Sequence, residues 1–193
     1  MDNSTVLRDA GLTLKQFFGT YLSDFLSEED ISFDSPADIP SGDITRLSVF
    51  LFQVSPNPYL RNQEQEAIGD NKLRPLPAVV DLKYLFTPYA QKRETELILI
   101  ERIVQLFHDF AVTLKGFELQ GCLKDSGNDP IHIEPLDLSL DDMNKLWGIF
   151  PNKPFKVSLC YMLTAIKLPS IKSDRSISRV IERRIDLHRK EKP

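Results

Sequence analysis

The chain has 193 residues, of which 41% are hydrophobic and 27% are charged, and its formal net charge is −4. This length and composition are typical of one ordinary globular domain, or of one domain with a tail. The negative net charge argues against a nucleic-acid-binding protein. No apolar run reaches the roughly 18 residues that a membrane-spanning helix needs, and the N-terminus lacks the basic start of a secretory signal. We therefore expect assembly in the cytoplasm without membrane insertion, unless a larger assembly carries the protein out.

Charge is unevenly distributed along the chain. Residues 16–45 contain no Lys or Arg, whereas residues 172–193 hold eight Lys or Arg against four Asp or Glu. The C-terminal segment is therefore +4 and the remainder is −8. Such asymmetry can steer contacts between subunits, although a solvated loop and a solvated tail would show the same pattern. The acidic stretch consists of Asp24, Glu28, Glu29, Asp30, Asp34, Asp38 and Asp43.

The first predicted element is a helix of about 20 residues that follows the N-cap residues 2–4. Residues 31–33 are predicted to form a short strand, and residues 35–43 a loop that contains two prolines. The apolar stripe of the helix consists of Leu7, Ala10, Leu14, Phe17, Tyr21 and Phe25.

Two strands are predicted next. Residues 47–54 carry apolar side chains on both faces, which predicts a strand buried at the centre of a sheet and ended by Pro56. Residues 61–73 are polar and are interpreted as a loop. The second strand begins at Pro77 and ends at Thr87–Pro88, and its alternation predicts one buried and one exposed face.

A long helix is predicted over residues 93–115, with Gly116 as its natural end. Its apolar face is wide enough to pack across a sheet and also against a neighbour. Residues 118–130 give no clear pattern. The helix carries two adjacent stripes, formed by Leu97, Ile100, Val104, Phe107, Ala111 and Leu114 and by Leu99, Ile103, Leu106 and Phe110.

Three elements are predicted in the last part of the domain. Residues 131–138 indicate a strand. Ser139 followed by Asp142 resembles a capping box at the start of a short helix that ends before Pro151. Alternation over residues 155–165 predicts the last strand.

This mixture of elements lacks a regular βαβ alternation, so it predicts an α+β fold. We expect a single domain, a mostly antiparallel sheet of about four strands with packed helices. Residues 1–168 are assigned to this domain, and residues 169–193 to a charged C-terminal tail.

No catalytic, cofactor-binding or metal-binding motif is found in the sequence. GxSxG, HExxH, P-loop and dinucleotide-binding patterns are absent. The three histidines are scattered, and Cys122 and Cys160 form no CxxC motif, so neither a zinc site nor a disulfide framework is indicated. The sequence therefore predicts a protein that is not an enzyme and that needs no cofactor or metal.

The C-terminal tail interleaves apolar and basic side chains. An amphipathic basic helix binds an acidic partner or a membrane surface, and the apolar side chains would otherwise stay exposed. A frayed terminus without a partner is the alternative. We favour a docking arm that uses Arg175, Arg179, Arg183 and Arg184.

Four stretches resemble one known family in their order and spacing. They are residues 47–62 (LSVFLFQVSPNPYLRN), 74–90 (RPLPAVVDLKYLFTPYA), 101–109 (ERIVQLFHD) and 134–166 (EPLDLSLDDMNKLWGIFPNKPFKVSLCYMLTAI). The family is the cap, or tail-terminator, proteins of extracellular contractile injection systems, relatives of the antifeeding prophage and the Photorhabdus virulence cassettes. The similarity spans most of residues 1–168.

The resemblance implies a ring-forming α+β subunit, expected to be a homohexamer. Such a ring sits on the last layer of the inner tube, stops its growth and contacts the last layer of the sheath protein. The resemblance implies no cofactor and no reaction. The expected location is a phage-tail-like particle assembled in the cytoplasm, released or tethered. Longer relatives continue beyond the last strand, so functions placed in that region are in doubt for this chain.

The turn after residues 47–54 is the second candidate interface, because loops on a rigid sheet commonly carry binding residues. We expect Asn57, Tyr59, Arg61 and Asn62 to contact the tube or a neighbouring subunit. Tyr59 and Leu60 packing the loop down is the alternative at this position. For the whole protein, the alternative is an adaptor that binds another phage-tail-like component such as the baseplate. A small hydrolase or nuclease is disfavoured, because the residues for it are missing.

Overall fold

The computed structural model describes residues 5–39, 44–60, 67–68, 72–73, 75–110, 119, 121–128, 130–172 and 175–176. Four helices and eight strands lie within these ranges. The helices are α1 (Val6–Tyr21), α2 (Arg93–Asp109), α3 (Gly121–Asp125) and α4 (Leu140–Trp147), with a 3₁₀ turn at Glu28–Asp30. The strands are β1 (Ile31–Ser32), β2 (Arg46–Pro56), β3 (Ala67–Ile68), β4 (Lys72–Leu73), β5 (Ala78–Tyr89), β6 (His132–Pro135), β7 (Leu159–Leu168) and β8 (Arg175–Ser176).

The main sheet has five strands in the order β1-β2-β5-β7-β6. All neighbours are antiparallel except β1 and β2, which run parallel. The prediction of a largely antiparallel α+β sheet is therefore confirmed, with one strand more than expected. The central position belongs to β5 and not to β2, and β5 is buried along nearly its whole length. The prediction that one face of β5 is exposed was wrong, because helices cover both faces of the sheet.

One face of the sheet packs against α1, α2 and α3. An aromatic cluster joins the layers there: the Phe107 ring on α2 lies 5.4 Å from Phe18 on α1, 5.3 Å from Phe86 on β5 and 4.4 Å from Tyr161 on β7. Burying one such side chain contributes about 1.5–3 kcal/mol. This cluster therefore sets the positions of the two long helices against the sheet.

The opposite face packs against α4 and the segments beside it. Leu85 and Cys160 on the sheet contact Trp147 and Phe150, whose rings meet edge to face at 5.5 Å. The N-cap at Ser139 is confirmed, because its hydroxyl accepts a hydrogen bond from the Asp142 N–H at 3.2 Å. The full capping box is not formed, because the Asp142 carboxylate accepts from the Ser139 hydroxyl at 2.6 Å and not from the Ser139 N–H. The helix ends at Trp147, earlier than predicted.

The predicted stripes of α1 and α2 are only partly buried. On α1, Leu7 and Tyr21 are exposed, whereas Phe18, outside the predicted stripe, is buried. On α2, the stripe that contains Leu99 is buried at Leu99 and Ile103 and partly buried at Leu106 and Phe110. In the other stripe, Leu97 and Val104 are exposed. The α1 helix is also shorter than predicted, and α2 ends at Asp109 within the described residues. The predicted end of the second helix at Gly116 lies outside the described residues.

Strand ends differ from the predictions for identifiable reasons. β5 continues through Thr87–Pro88, because its pairing with β7 ends at Phe86 and proline therefore needs no N–H partner on that side. β7 begins at Leu159, four residues later than predicted, and Phe155 remains partly exposed before it. β6 ends at Pro135.

A second, small sheet joins β3, β4 and β8 in that order. The prediction of a loop over residues 61–73 was therefore wrong at residues 67–68 and 72–73. β8 belongs to the basic segment, where Leu73 pairs with Arg175 and Lys72 with Ser176. The amphipathic helix considered for the basic tail is therefore not formed at residues 175–176, which are a strand. The division into a domain, 1–168, and a tail, 169–193, stays a prediction.

Candidate assembly interface

A buried hydrogen-bond network organises the turn that follows β2. The Asn57 side-chain amide donates to Asp81 Oδ1 at 2.9 Å, and its oxygen accepts from the N–H groups of Tyr59 at 3.0 Å and Leu60 at 3.1 Å. Asn57 is only 7% exposed, so its amide is engaged inside its own chain. The sequence interpretation missed this structural role, although an Asn before Pro is a known turn signal. A contact of Asn57 with another subunit stays a prediction.

Asp81 connects this turn to the neighbouring strand. Its Oδ1 also accepts from the Ala165 N–H at 3.0 Å, at the point where the pairing of β5 with β7 shifts register. Ala165 has φ +59°, a left-handed conformation that costs a non-glycine residue about 1–2 kcal/mol. One buried carboxylate therefore stabilises both the turn after β2 and the bulge in β7.

Tyr59 is displayed by this network and is 91% exposed. Tyrosine combines a large apolar ring with a polar tip, which suits it to protein interfaces. Its exposure excludes the alternative that the Tyr59 ring packs the turn down. Arg61 and Asn62, the other candidates in this turn, lie outside the described residues.

The basic tail is described only at its start. Arg175 lies in β8, where its backbone pairs with β4. Arg179, Arg183 and Arg184 lie outside the described residues, so their role as a docking arm stays a prediction.

The acidic stretch surrounds β1 at the edge of the main sheet. Asp24, Glu28, Glu29, Asp34 and Asp38 are exposed. Asp30 instead closes a capping box, because its carboxylate accepts from the Ser27 hydroxyl at 2.7 Å and from the Ser27 N–H at 2.9 Å. These hydrogen bonds lower the pKa of Asp30. The surface around β1 therefore offers negative charge to a basic partner.

A second buried carboxylate, Glu96, joins α2 to the segment before β7. It accepts from the Ala90 N–H at 3.2 Å and from Arg93 Nη1 at 3.2 Å, and it also pairs with Lys156. Burial alone would raise the pKa of Glu96, but the hydrogen bonds and charges of these partners outweigh it and lower the pKa. Lys156 also lies 4.8 Å from the centre of the Tyr89 ring, a cation–π contact.

Asp9 makes the corresponding link between α1 and α3. It accepts from the Thr5 hydroxyl at 2.9 Å, from Arg8 Nη2 at 3.1 Å and from the Cys122 N–H at 2.9 Å. Burial opposes these hydrogen bonds, yet the pKa of Asp9 is lowered. The carboxylates whose pKa values are lowered, Asp9, Asp30 and Glu96, therefore all have hydrogen-bond partners within the chain.

The described ranges contain no group of three or more His, Cys, Asp or Glu that could hold a metal ion. Burial raises the pKa of the Cys160 thiol to about 11, which makes it a poor nucleophile at neutral pH. Within the same ranges, no helix is long and apolar enough to span a bilayer.

The fold and its exposed features define an α+β domain whose candidate site is a surface. The family model described as the Pvc16 N-terminal domain matches residues 10–182. The chain therefore belongs to the Pvc16 N-terminal domain family. No curated protein matches the chain.

Two solved structures share this fold. One is described as an extracellular contractile injection system, PVC sheath/tube terminator in the extended state; it is 18% identical, with a TM-score of 0.58 over 96% of this chain and 66% of that chain. The other is described as the anti-feeding prophage cap, a tube-terminating cap; it is 20% identical, with a TM-score of 0.63 over 96% of this chain and 63% of that chain. The chain thus spans just under two thirds of the length of each. At these identities the likeness is one of fold, and it confirms the terminator-like fold.

Proposed function

We propose that this protein is a structural cap, the tube terminator of a contractile injection system. It ends the inner tube and contacts the terminal sheath layer. The observation that carries the proposal is the family match over residues 10–182, together with a fold shared along 96% of the chain with two proteins described as terminators.

In this proposal the protein acts as a homohexameric ring. A closed ring joins two different faces of each subunit, so complementary charges on those faces favour closure. The exposed acids around β1 and the basic segment 172–193 supply such a pair of opposite charges. Tyr59, at the exposed turn after β2, is the proposed contact with the tube or with a neighbouring subunit.

The proposed role requires no reaction. The histidines at positions 108 and 132 are exposed, and the perturbed carboxylates Asp9 and Glu96 are occupied by partners in the fold. A general base must lie within hydrogen-bond reach of a nucleophile, and the described residues show no such constellation. The protein is proposed to assemble in the cytoplasm as part of a phage-tail-like particle.

Electron microscopy of particles assembled with and without this protein tests the proposal. A gold-labelled tag on the protein is expected at the end of the particle away from the baseplate, and its deletion is expected to leave tube length uncontrolled. The native mass of the purified protein, by light scattering, checks whether the ring forms before it meets the tube. Label at the baseplate end, with normal tube length after deletion, would instead establish an adaptor.

A further inference from the structure

β2 has an open outer edge over most of its length. Its inner edge pairs with β5 from Arg46 to Pro56, whereas β1 pairs with its outer edge only at Leu47 and Ser48. No strand in the described ranges pairs with the outer edge from Val49 onward. An edge of this kind presents backbone N–H and C=O groups that can pair with a strand from another chain.

The open edge carries no charged residue. The sequence from Val49 to Ser55 is VFLFQVS, which is apolar and rich in β-branched and aromatic residues. Proteins usually protect an exposed edge with Lys, Pro or inward charges, and a β-bulge near Phe52 is the irregularity seen here. The outer edge of β2 is therefore suited to pairing with another strand.

An apolar groove of about 290 Å³ opens beside this edge, where β1 ends and α1 passes. Its sheet side is lined by Val49, Phe50, Leu51 and Tyr84, and the rest by Leu7, Arg8, Gly11 and Phe33. The Phe33 ring is 41% exposed and lies close over Gly11, where an added Cβ would come within 3.1 Å of it. The groove can therefore receive an apolar side chain from a strand that pairs with the edge.

We propose that residues 177–187 of a second copy of this chain bind as an added strand along β2, with an apolar side chain in the groove. The segment is rich in β-branched residues, and the residues just before it, 175–176, already form a strand. Its three arginines outnumber its two acidic residues, so the segment brings a net positive charge to the exposed acids around β1, such as Glu29 and Asp34. This inference rests on the proposed ring of identical copies.

The tail is long enough for this exchange. Seventeen residues follow Ser176, and an extended chain reaches about 3.3–3.6 Å per residue, or roughly 55–60 Å in all. A domain of this size has a radius of gyration of about 16 Å, so the tail can cross onto a neighbour. Each copy would then donate one strand and receive one, which is the connectivity of a closed ring.

Cysteine cross-linking between two differently tagged full-length copies tests the proposal in assembled particles. One copy carries Val54→Cys at the open edge, where Val54 is 44% exposed, and the other carries one added cysteine at successive positions from residue 177 to 184. The matched control replaces Val54→Cys by Leu140→Cys on α4, where Leu140 is 73% exposed. We expect disulfide-linked pairs of the two tags with Val54→Cys at alternate tail positions, because successive residues of a strand face opposite sides.

Several outcomes would overturn the proposal. The first is that Val54→Cys gives no mixed product, meaning no disulfide-linked pair of the two tags. The second is that the yield of this product is equal at every tail position, or equal with the Leu140→Cys control. The third is that the added cysteines instead cross-link within one chain or to the sheath protein. Tube length in the same particles reports the proposed function separately. If tube length is controlled but no disulfide-linked pair of the two tags forms, strand exchange is rejected and the cap proposal stands. If tube length is uncontrolled with the wild-type protein, the cap proposal itself is rejected.

Discussion

The turn after β2 separates a residue that maintains the fold from a residue that is proposed to make a contact. Asn57 and Tyr59 are two positions apart, yet Asn57 is 7% exposed and Tyr59 is 91% exposed. Replacing each by alanine should therefore have opposite consequences. Asn57→Ala should destabilise the domain, whereas Tyr59→Ala should leave the domain stable and impair assembly.

The size of the Asn57→Ala effect follows from its hydrogen bonds. The substitution removes the 2.9 Å bond to the buried Asp81 carboxylate, which is of the charged class that contributes about 1.5–3 kcal/mol. It also frees the N–H groups of Tyr59 and Leu60, which can turn to water at smaller cost. The total is about 2–4 kcal/mol, and at about 2–4 °C per kcal/mol the melting temperature should fall by roughly 4–16 °C.

Thermal and urea unfolding, followed by circular dichroism, measure the stability loss of Asn57→Ala. Electron microscopy of assembled particles measures the assembly defect of Tyr59→Ala. The control Tyr59→Ala should remain within about 0.5 kcal/mol of the wild type in stability. In a double-mutant cycle, Asn57→Ala and Asp81→Ala should couple, because the two side chains share a bond. An Asn57→Ala protein with wild-type stability would refute the buried network as the support of the turn. A Tyr59→Ala protein that assembles normally would remove Tyr59 from the interface.

Four further predictions rest on other contacts. The pKa of Glu96 is lowered in the fold, so ionised Glu96 stabilises the fold above its unfolded pKa near 4.5, and this stabilisation is lost as the pH falls through the folded pKa. The free energy of unfolding of Glu96→Gln should therefore fall less between neutral and acidic pH than that of the wild type. Gly121→Ala should destabilise by about 1–2 kcal/mol in urea, because Gly121 has φ +40° and an added Cβ would lie 2.9 Å from Asp9 Oδ2. The double substitution Arg61→Ala with Asn62→Ala should alter particle length but not the unfolding curve, and normal length would count against the turn as a contact. Raising salt from 0.1 to 1 M should lower the native mass of the purified protein if charge closes the ring, because the screening length shrinks from about 10 to 3 Å.

Long periodic segments could be predicted from the sequence, whereas short and non-local features could not. The α1 and α2 helices and the capped α4 carry their own periodicity and cap signals, so their existence was predictable. β3, β4 and β8 have two residues each, too few for any period to show. Their pairing joins residues 72–73 to residues 175–176, which no local pattern reveals.

The misinterpretation of β5 has a specific cause. Asp81 and Lys83 alternate with apolar residues, so the pattern predicts a solvent-facing side. Asp81 is instead buried, because Asn57 and the bulged Ala165 N–H share its carboxylate. Both partners are distant in sequence. The exposure of Tyr59 agrees with its choice as an interface residue, but its contact stays a prediction. The internal role of Asn57 was missed because burial is a property of the whole fold.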